Sequence, residues 1–407
     1  MRPYDGRRIL LGVSGGIASY KSAWLARLFA QAGAEVDVVL TTGASQFIGA
    51  LTFEGLTGRP VHTDIFAPGH ALDHIRLPRE ANAIVIAPAT ADLMASAAHG
   101  HADDLLTACL LAAGDPRTSG ASVLFVPAMN DQMWAHPQTR ANADRLREIG
   151  YLVLDPEVGM LAAGEGSGPG RMPEPETIFA HVARLLETRG ALEHRRVVVT
   201  AGGTREPIDP VRFLSNRSSG KMGVAIAAAA WRRGADVTLI AGPLEVDTPT
   251  GVTHVPVEST EQMAVAVRNH LSSADALIMA AAPADYTSAT RIEGKMKRTA
   301  SPLRLELTPT TDILRDTVPA RRNGAVIVGF ALETDDVLVE GRRKRVAKDL
   351  DLIVVNDARE AGAGFGTDTN RVTLIARDGS EESLPLMQKA DLADIILDRV
   401  EARLGAA

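Results

Sequence analysis

The chain reads as two α/β domains, each a Rossmann-like three-layer α/β/α sandwich, and three observations predict them. Short, almost continuously apolar runs recur through both halves of the 407 residues. Segments of helical periodicity separate them, and such alternation argues for parallel sheets covered on both faces. Both halves also open alike, with Arg-Arg, an apolar run and a Gly-Gly turn, at 7–16 and 195–203. The likeness is one of architecture, and no sequence repeat is claimed.

In the first half, RRILLGV at 7–13 reads as a buried strand ending in Ser14-Gly15-Gly16. A helix follows with Trp24, Leu25, Leu28 and Phe29 on one stripe, then a second strand at 35–40. AIVIA at 83–87 and SVLFV at 122–126 are further strands, each followed by a helical pattern. The segment Gly159–Glu176 has too many glycines for a core element and too many apolar residues for a linker. It reads as a mobile flap, centred on 159–172, with a plain tether as the alternative. A helix at 177–187, with Ile178, Val182, Leu185 and Leu186 on one face, closes the domain. The expected domains are therefore 1–190 and 191–407.

The second half offers strands at 197–200, 237–240, 276–279, 326–328, 352–355 and 372–375. A last helix, Lys389–Leu404, puts Leu392, Ile395, Ile396 and Val400 on one side.

Composition excludes several classes. Hydrophobic content is 45%, yet no apolar run is long enough to span a bilayer. The N-terminal apolar stretch is too short for a signal peptide, so a cytoplasmic protein without a membrane partner is expected. A net charge of −7 argues against nucleic acid, which needs a basic face. The densest basic run, 341–348, reads as a solvated helix face. The single cysteine permits neither an intramolecular disulfide nor a cysteine metal cluster, and Cys109, in an apolar helical run, reads as a small buried hydrophobe.

Ligands of such sheets sit beyond the carboxyl ends of the strands. Neither Gly-Gly turn matches G-x-G-x-x-G, so the dinucleotide fingerprint is absent. SGGIASYK, Thr41-Thr42 and APATADLM place three small-residue loops at strand ends. They suit a flat phosphorylated cofactor, although tight turns alone would also produce them. His74 stands in DHIRL. Asn130, in PAMNDQMW, follows a strand and precedes a helix, where a capping role is the simplest reading. The central stretch VVVTAGGTREPIDPVRFLSNRSSGKMG, 197–223, runs from strand through glycine turn into a basic, small-residue helix start. Free backbone N–H groups and the helix dipole suit an anion there; a serine cap is the alternative.

Together, SGGIASYK, TTGASQFI, DHIRL, APATADLM, ADDLL and PAMNDQMW resemble the flavin-dependent cysteine decarboxylases, specifically the phosphopantothenoylcysteine decarboxylases, over residues 8 to about 135. That resemblance implies FMN held by Ser14, Gly15, Thr41, Ala87, Thr90 and Asp92, the last where the family usually has Asn. It further implies His74 as catalytic base and Asn130 on the substrate carboxylate. The family's flap reads Leu-Ala-Cys-Gly followed by Gly-Arg-Met, its cysteine being the proton donor. Here Ala163 occupies the cysteine position, ahead of Gly170, Arg171 and Met172. Glu165, Ser167 or a water could supply the proton; otherwise decarboxylation is impaired and any activity of the chain rests on its second half.

From 196 to about 391, the central stretch with AAPADY, GKMKR, TPTTDIL, GFALET and DLIVVND resembles phosphopantothenate–cysteine ligase. Pro283 stands where that family usually has Val. The resemblance implies joining of 4′-phosphopantothenate and L-cysteine through an acyl-cytidylate made from CTP, with Mg²⁺ on the triphosphate. Asn216 would act in turnover of that intermediate, Arg212 and Lys295 would support substrate, and Ala282, Asp285, Phe330, Lys344 and Lys348 would contact the nucleotide; metal ligands stay unassigned. It also implies homo-oligomers, trimer-based dodecamers through the first half and dimers through the second. A non-enzymatic flavin-fold regulator is the alternative from another class, and the complete ligase half argues against it.

Overall fold

The structure, a computed structural model, describes residues 2–118, 121–297, 303–360, 362–364 and 366–405. The chain divides into two compact units, Met1–Glu187 and Thr188–Ala407.

The first unit is built on strands β1 (Arg8–Val13), β2 (Glu35–Leu40), β3 (Val61–His62), β4 (Ala83–Ala89), β5 (Ser122–Pro127) and β6 (Leu152–Val153). They form one parallel sheet in the order β3-β2-β1-β4-β5-β6. The strand order reverses between β1 and β4, so a crevice opens where their carboxyl ends diverge. Helices α1 (Ser19–Gln31), α2 (Ala50–Thr57), α3 (Asp73–Glu80), α4 (Ala91–His99), α5 (Leu105–Ala112), α6 (Asp131–Ala135), α7 (Pro137–Ile149) and α8 (Pro175–Leu186) complete the unit. Alternate strand residues feed two cores. Leu11 and Val38 pack with Phe29 of α1 and Ile178 of α8; Leu10 and Ile84 pack with Met94 of α4 and Leu106 of α5.

The stripe expected on α1 is shifted by one position. Ser22, Leu25, Ala26 and Phe29 face the core, whereas Trp24 is exposed and its indole N–H donates to Glu176 at 2.8 Å. The flap is an antiparallel hairpin, β7 (Glu157–Met160) against β8 (Ser167–Arg171). Gly164 and Gly166 lie at its tip with φ of 90° and 81°, which glycine adopts without steric cost.

The second unit contains β9 (Arg196–Ala201), β10 (Arg205–Pro207), β11 (Phe213–Ser215), α9 (Lys221–Arg232), β12 (Asp236–Ala241), β13 (Thr253–Pro256), α10 (Thr260–Leu271) and β14 (Ala276–Met279). It continues with β15 (Tyr286–Ser288), β16 (Leu307–Pro309), α11 (Ile313–Asp316), β17 (Val326–Glu333), α12 (Val337–Ala347) and β18 (Leu352–Asp357). Last come β19 (Thr369–Asn370), β20 (Thr373–Ala376), β21 (Glu381–Ser383), β22 (Met387–Gln388) and α13 (Lys389–Leu404). The main sheet runs β13-β12-β9-β14-β17-β18-β20-β21 and reverses between β9 and β14. Six strands are parallel, while β20 and β21 extend the edge antiparallel. The run at 372–375 is thus a strand, but one that lies antiparallel to β18 after a connection, residues 358–372, whose described part carries the short strand β19.

Val198 and Leu277 face α10 and α11 in one core, and the alternate residues of β9 face α9. Gly223 makes that second contact possible. A Cβ there would lie 2.6 Å from both the Ala201 Cβ and the Thr200 carbonyl oxygen. Gly223→Ala is therefore expected to destabilise the protein by about 1–3 kcal/mol, the overpacking cost exceeding the roughly 1 kcal/mol of helix propensity gained. Thermal and urea unfolding of the two proteins check this; a Gly223→Ala chain at least as stable as the parent would show that α9 can retreat freely.

Candidate active sites

In the second unit, β14, β17 and β18 border a cavity of about 460 Å³ at their carboxyl ends. Asn216, Ala282, Asp285, Phe330, Lys344 and Lys348, expected from separate stretches of sequence, all line it. So does the start of α9. Its N-cap is Gly220 at φ 79°, and no side chain caps it, so the serine-cap reading of Ser218-Ser219 does not describe this helix. The helix begins as a set of backbone donors facing a pocket, the arrangement that accepts a phosphate or carboxylate.

Charge reinforces this. Four lysines, Lys221, Lys344, Lys348 and Lys389, line the cavity against two aspartates, Asp285 and Asp312. Lys348 pairs with Asp312 at 3.0 Å, Lys344 with Glu333 at 2.6 Å and Lys221 with Asp368 at 2.6 Å. Lys389 is buried and donates to the carbonyls of Gly364 and Thr367 at 3.0 and 2.6 Å. Burial, then the neighbouring Lys221 charge, pulls its ammonium below the usual lysine range, against the pull of Asp368. Sequence reading missed Lys389, because a lysine at a helix start ordinarily lies in solvent.

Asn216 is fixed by its own amide. Its Nδ2 donates to the carbonyls of Ala282 and Pro283 at 3.3 and 3.0 Å, tying the loop before α9 to the loop after β14. Asp285 is exposed beyond β14 and caps no helix; its carbonyl accepts from the Thr310 N–H at 2.9 Å. Phe330 is half-buried on β17, leaving ring surface for the cavity.

Arg212 and Lys295 stand apart from this lining. Arg212 pairs with Asp209 at 2.7 Å and donates to the Met296 carbonyl at 3.2 Å, and Lys295 next to it is exposed. Asp209 organises the pair: its carboxylate accepts from the N–H groups of Val211, Arg212 and Met296 at 2.7, 2.8 and 3.1 Å. Burial pushes that carboxyl up, but these donors and Arg212 outweigh it and hold it below the usual range. Its sequence signal was the Asp-Pro turn of IDPVRF. Arg298, the end of GKMKR, lies outside the described residues.

In the first unit, the loops after β1, β2, β4 and β5 meet at one sheet edge. Ser14 Oγ donates to the Pro88 carbonyl at 2.8 Å and accepts from Thr90 N–H at 3.0 Å, bridging the two strands that flank the crevice. Gly15 approaches the next loop so closely that a Cβ would come within 2.7 Å of the Gly43 backbone. Thr41 Oγ1 accepts from Ala44 N–H at 3.1 Å, and Thr90 caps α4 through Leu93 N–H at 3.3 Å. Asp92 is exposed in the first turn of α4. Ala87 is fully buried in the core, so only its backbone could serve a ligand, and its carbonyl already accepts from Ser22.

His74 is half-buried on α3, and its Nδ1 is enclosed without a hydrogen-bond partner. Asn130 caps α6 as its position suggested, Oδ1 accepting from Gln132 N–H at 2.9 Å. The flap docks beside it: Met129 N–H donates to the Gly170 carbonyl at 3.0 Å, and a Cβ on Gly170 would strike the Met129 carbonyl at 2.1 Å. Arg171 pairs with Glu174, Met172 is buried and its carbonyl accepts from Lys21 at 2.8 Å, while Ala163 is exposed near the hairpin tip. Cys109 is buried and its thiol is pushed up to about 12, chiefly by desolvation, so it is packing and not a nucleophile. Among the described residues no helix is long and apolar enough to cross a membrane.

Residues 1–187 match the flavoprotein family, and 192–404 match the C-terminal domain of DNA/pantothenate metabolism flavoproteins. The chain is 47% identical to the coenzyme A biosynthesis bifunctional protein CoaBC of Mycobacterium bovis, over 97% of this chain and 96% of that protein. The chain belongs to the CoaBC family. The Bacillus subtilis member is 44% identical, over 98% of this chain and 97% of its own. Among solved structures, the C-terminal domain of a CoaBC protein is 38% identical, covering 54% of this chain and all 100% of its own, with a TM-score of 0.46. Like its CoaBC relatives, the chain is an enzyme of coenzyme A biosynthesis with ligase and decarboxylase activity.

Proposed function

We infer that residues 188–407 join 4′-phosphopantothenate to L-cysteine at the expense of CTP, and that residues 1–187 decarboxylate the product to 4′-phosphopantetheine with FMN. The observation that carries the ligase reading is the convergence of an uncapped helix start and four lysines on the cavity that Asn216 borders. In the first step a carboxylate oxygen attacks the α-phosphorus of CTP, forming an O–P bond as the bond to pyrophosphate breaks. Anion meets anion, so the lysines and the α9 N–H groups offset the repulsion in the transition state. The cysteine amine then forms the C–N bond, CMP leaves with the C–O electron pair, and the amine proton passes to solvent. Mg²⁺ fits as a partner of the triphosphate: among the described residues the cavity offers no carboxylate cage, and this ion commonly takes phosphate and water ligands.

The first unit fits FMN at the β1/β4 crevice, where Ser14, Gly15, Thr41, Thr90 and Asp92 would hold it; the Gly15–Gly43 approach brings two of these loops together. FMN supplies, when bound, a reversible two-electron acceptor beside the thiol-bearing carbon. His74, half-buried in the first turn of α3, would take the substrate proton on its imidazole ring. Asn130, its Oδ1 engaged in capping, would offer Nδ2 to the substrate carboxylate. The hairpin, docked through Gly170, would keep water from the site during loss of CO₂.

Following pyrophosphate and CO₂ separately tests both halves in one preparation. No CTP consumption with phosphopantothenate and cysteine would overturn the ligase assignment. For the flap, Ala163→Cys is expected to raise CO₂ release from synthetic phosphopantothenoylcysteine at least about ten-fold, by restoring a proton donor, with pyrophosphate release unchanged. An unaltered rate would mean that protonation does not pass through the hairpin tip.

A further inference from the structure

One polar cluster in the first unit has no part in either reaction. The Nδ1 atoms of His62 and His70 lie 2.7 and 2.8 Å from the same oxygen, Oδ2 of Asp73. The two rings stand edge to face with centroids 5.7 Å apart. His62 is on β3 and Asp73 opens α3, both buried, whereas His70 is on the loop between them. The His70 carbonyl accepts from Asp73 N–H at 3.0 Å, a turn that brings two of the three side chains to one point. The other carboxylate oxygen, Oδ1, is held by Arg76 through Nε at 3.2 Å and Nη2 at 3.0 Å, which leaves Oδ2 aimed at the imidazoles.

The surrounding charges do not balance. Arg76 is shared with Glu80, Glu80 with Arg8, Arg8 with Glu35 and Asp37, and both of those acids with Arg59. Four carboxylates (Asp73, Glu80, Glu35 and Asp37) thus face three guanidinium groups (Arg76, Arg8 and Arg59). One negative charge is left over beside two imidazoles. Asp37, nine-tenths buried and more, has an Oδ2 with no hydrogen-bond partner. It lies on the face His62 shares, because His62 pairs with Val39, two residues along β2.

We propose that His62, His70 and Asp73 form a binding site for a late first-row divalent cation such as Zn²⁺. Two ring nitrogens and one carboxylate oxygen are donors that favour this class over Mg²⁺. Tetrahedral bonds of about 2.0–2.1 Å set donor atoms about 3.3 Å apart, so each ring nitrogen has to move roughly half an ångström from Oδ2, while the three donor atoms already lie within 4.8 Å of one another. The loop carrying His70 allows it: Phe66 is 86% exposed, and Gly69, at φ 85°, has nothing within 4 Å of where its Cβ would stand. On binding, each imidazole presents Nδ1 to the ion and keeps its proton on Nε2. Arg76 remains on Oδ1 as the support that orients the ligating carboxylate. A fourth position stays open to water. The ion pins the 63–72 loop to the first turn of α3, the turn that carries His74.

The test uses the full-length protein without an affinity tag, stripped of metal and then dialysed against Zn²⁺ or Co²⁺ with excess Mg²⁺. The parent is expected to hold one Zn²⁺ per chain that Mg²⁺ does not displace, and to give Co²⁺ a visible d–d band. His70→Ala, a change at a half-exposed side chain that leaves the fold intact, should weaken binding by about 100-fold and abolish the band. His101→Ala, a control at an exposed histidine, should change neither. Zn²⁺ should also slow chymotryptic cleavage after Phe66 several-fold in the parent and not in the His70→Ala chain. Equal Zn²⁺ affinity in parent and His70→Ala, or no Zn²⁺ retained by the parent in excess Mg²⁺, would overturn the site and leave the three side chains as a hydrogen-bond network alone.

Discussion

An Asn216→Asp chain is expected to release pyrophosphate from CTP on the order of 10²–10³ times more slowly than the parent, at unchanged CO₂ release from synthetic phosphopantothenoylcysteine. The substitution conserves shape and reverses polarity. Where Nδ2 now donates to the carbonyls of Ala282 and Pro283, a carboxylate oxygen would face two other acceptors at about 3 Å. It would also add a negative charge to a cavity whose lysines and helix start are arranged for anions. Displacing the loop and adding an anion beside a developing negative charge is expected to cost about 2.7–4 kcal/mol of transition-state stabilisation, as much as removing one donor to such a charge. Asn216→Ser, which removes the bridge without adding charge, should fall between the two. Steady-state rates for the three proteins, with thermal unfolding as a fold control, decide it. If the Asn216→Asp chain and the parent turn over CTP alike, the loop carrying Asn216 is not where the acid is activated.

Much of this was legible before the fold was seen. The runs at 83–87 and 276–279 are apolar at every position, and a strand buried on both faces reads that way regardless of its neighbours. The pieces that escaped are those whose identity is set by partners. β3 is two residues long and exists because β2 presents an open edge; β20 lies antiparallel between β18 and β21, a direction its own apolar run does not encode. Trp24 looked like core by hydrophobicity, but the helix phase places it outward, where Glu176 accepts from its indole. The ligase cavity shows the same division. Asn216 and the SSGKMG helix start are contiguous and recognisable, whereas Lys389 joins the lining from the far end of the unit. Its burial follows from the Gly364 and Thr367 carbonyls folding over it, and no local pattern encodes that contact.

For the other reaction, His74→Asn is expected to lower CO₂ release by about 10²–10⁴-fold with pyrophosphate release intact. The prediction rests on a side chain that costs the fold something as it stands. His74 Nδ1 is enclosed with no hydrogen-bond partner among the described residues, and leaving a buried polar atom unpaired commonly costs about 1–3 kcal/mol. A histidine kept only for packing would be under no such constraint, and Asn or Leu would serve α3 as well. Removing the ring should therefore leave stability within about 1 kcal/mol of the parent while the chemistry collapses, the reverse of what loss of a packing residue does. The pairing of measurements matters. A drop in CO₂ release accompanied by an equal loss of thermal stability would assign His74 to the scaffold of α3. A drop without it, in protein whose ligase half still consumes CTP, would place the ring nitrogen on the substrate. His74→Gln, with a longer amide, is expected to recover no more than a small fraction of the rate, because an amide can occupy the space but cannot accept and return a proton near neutral pH.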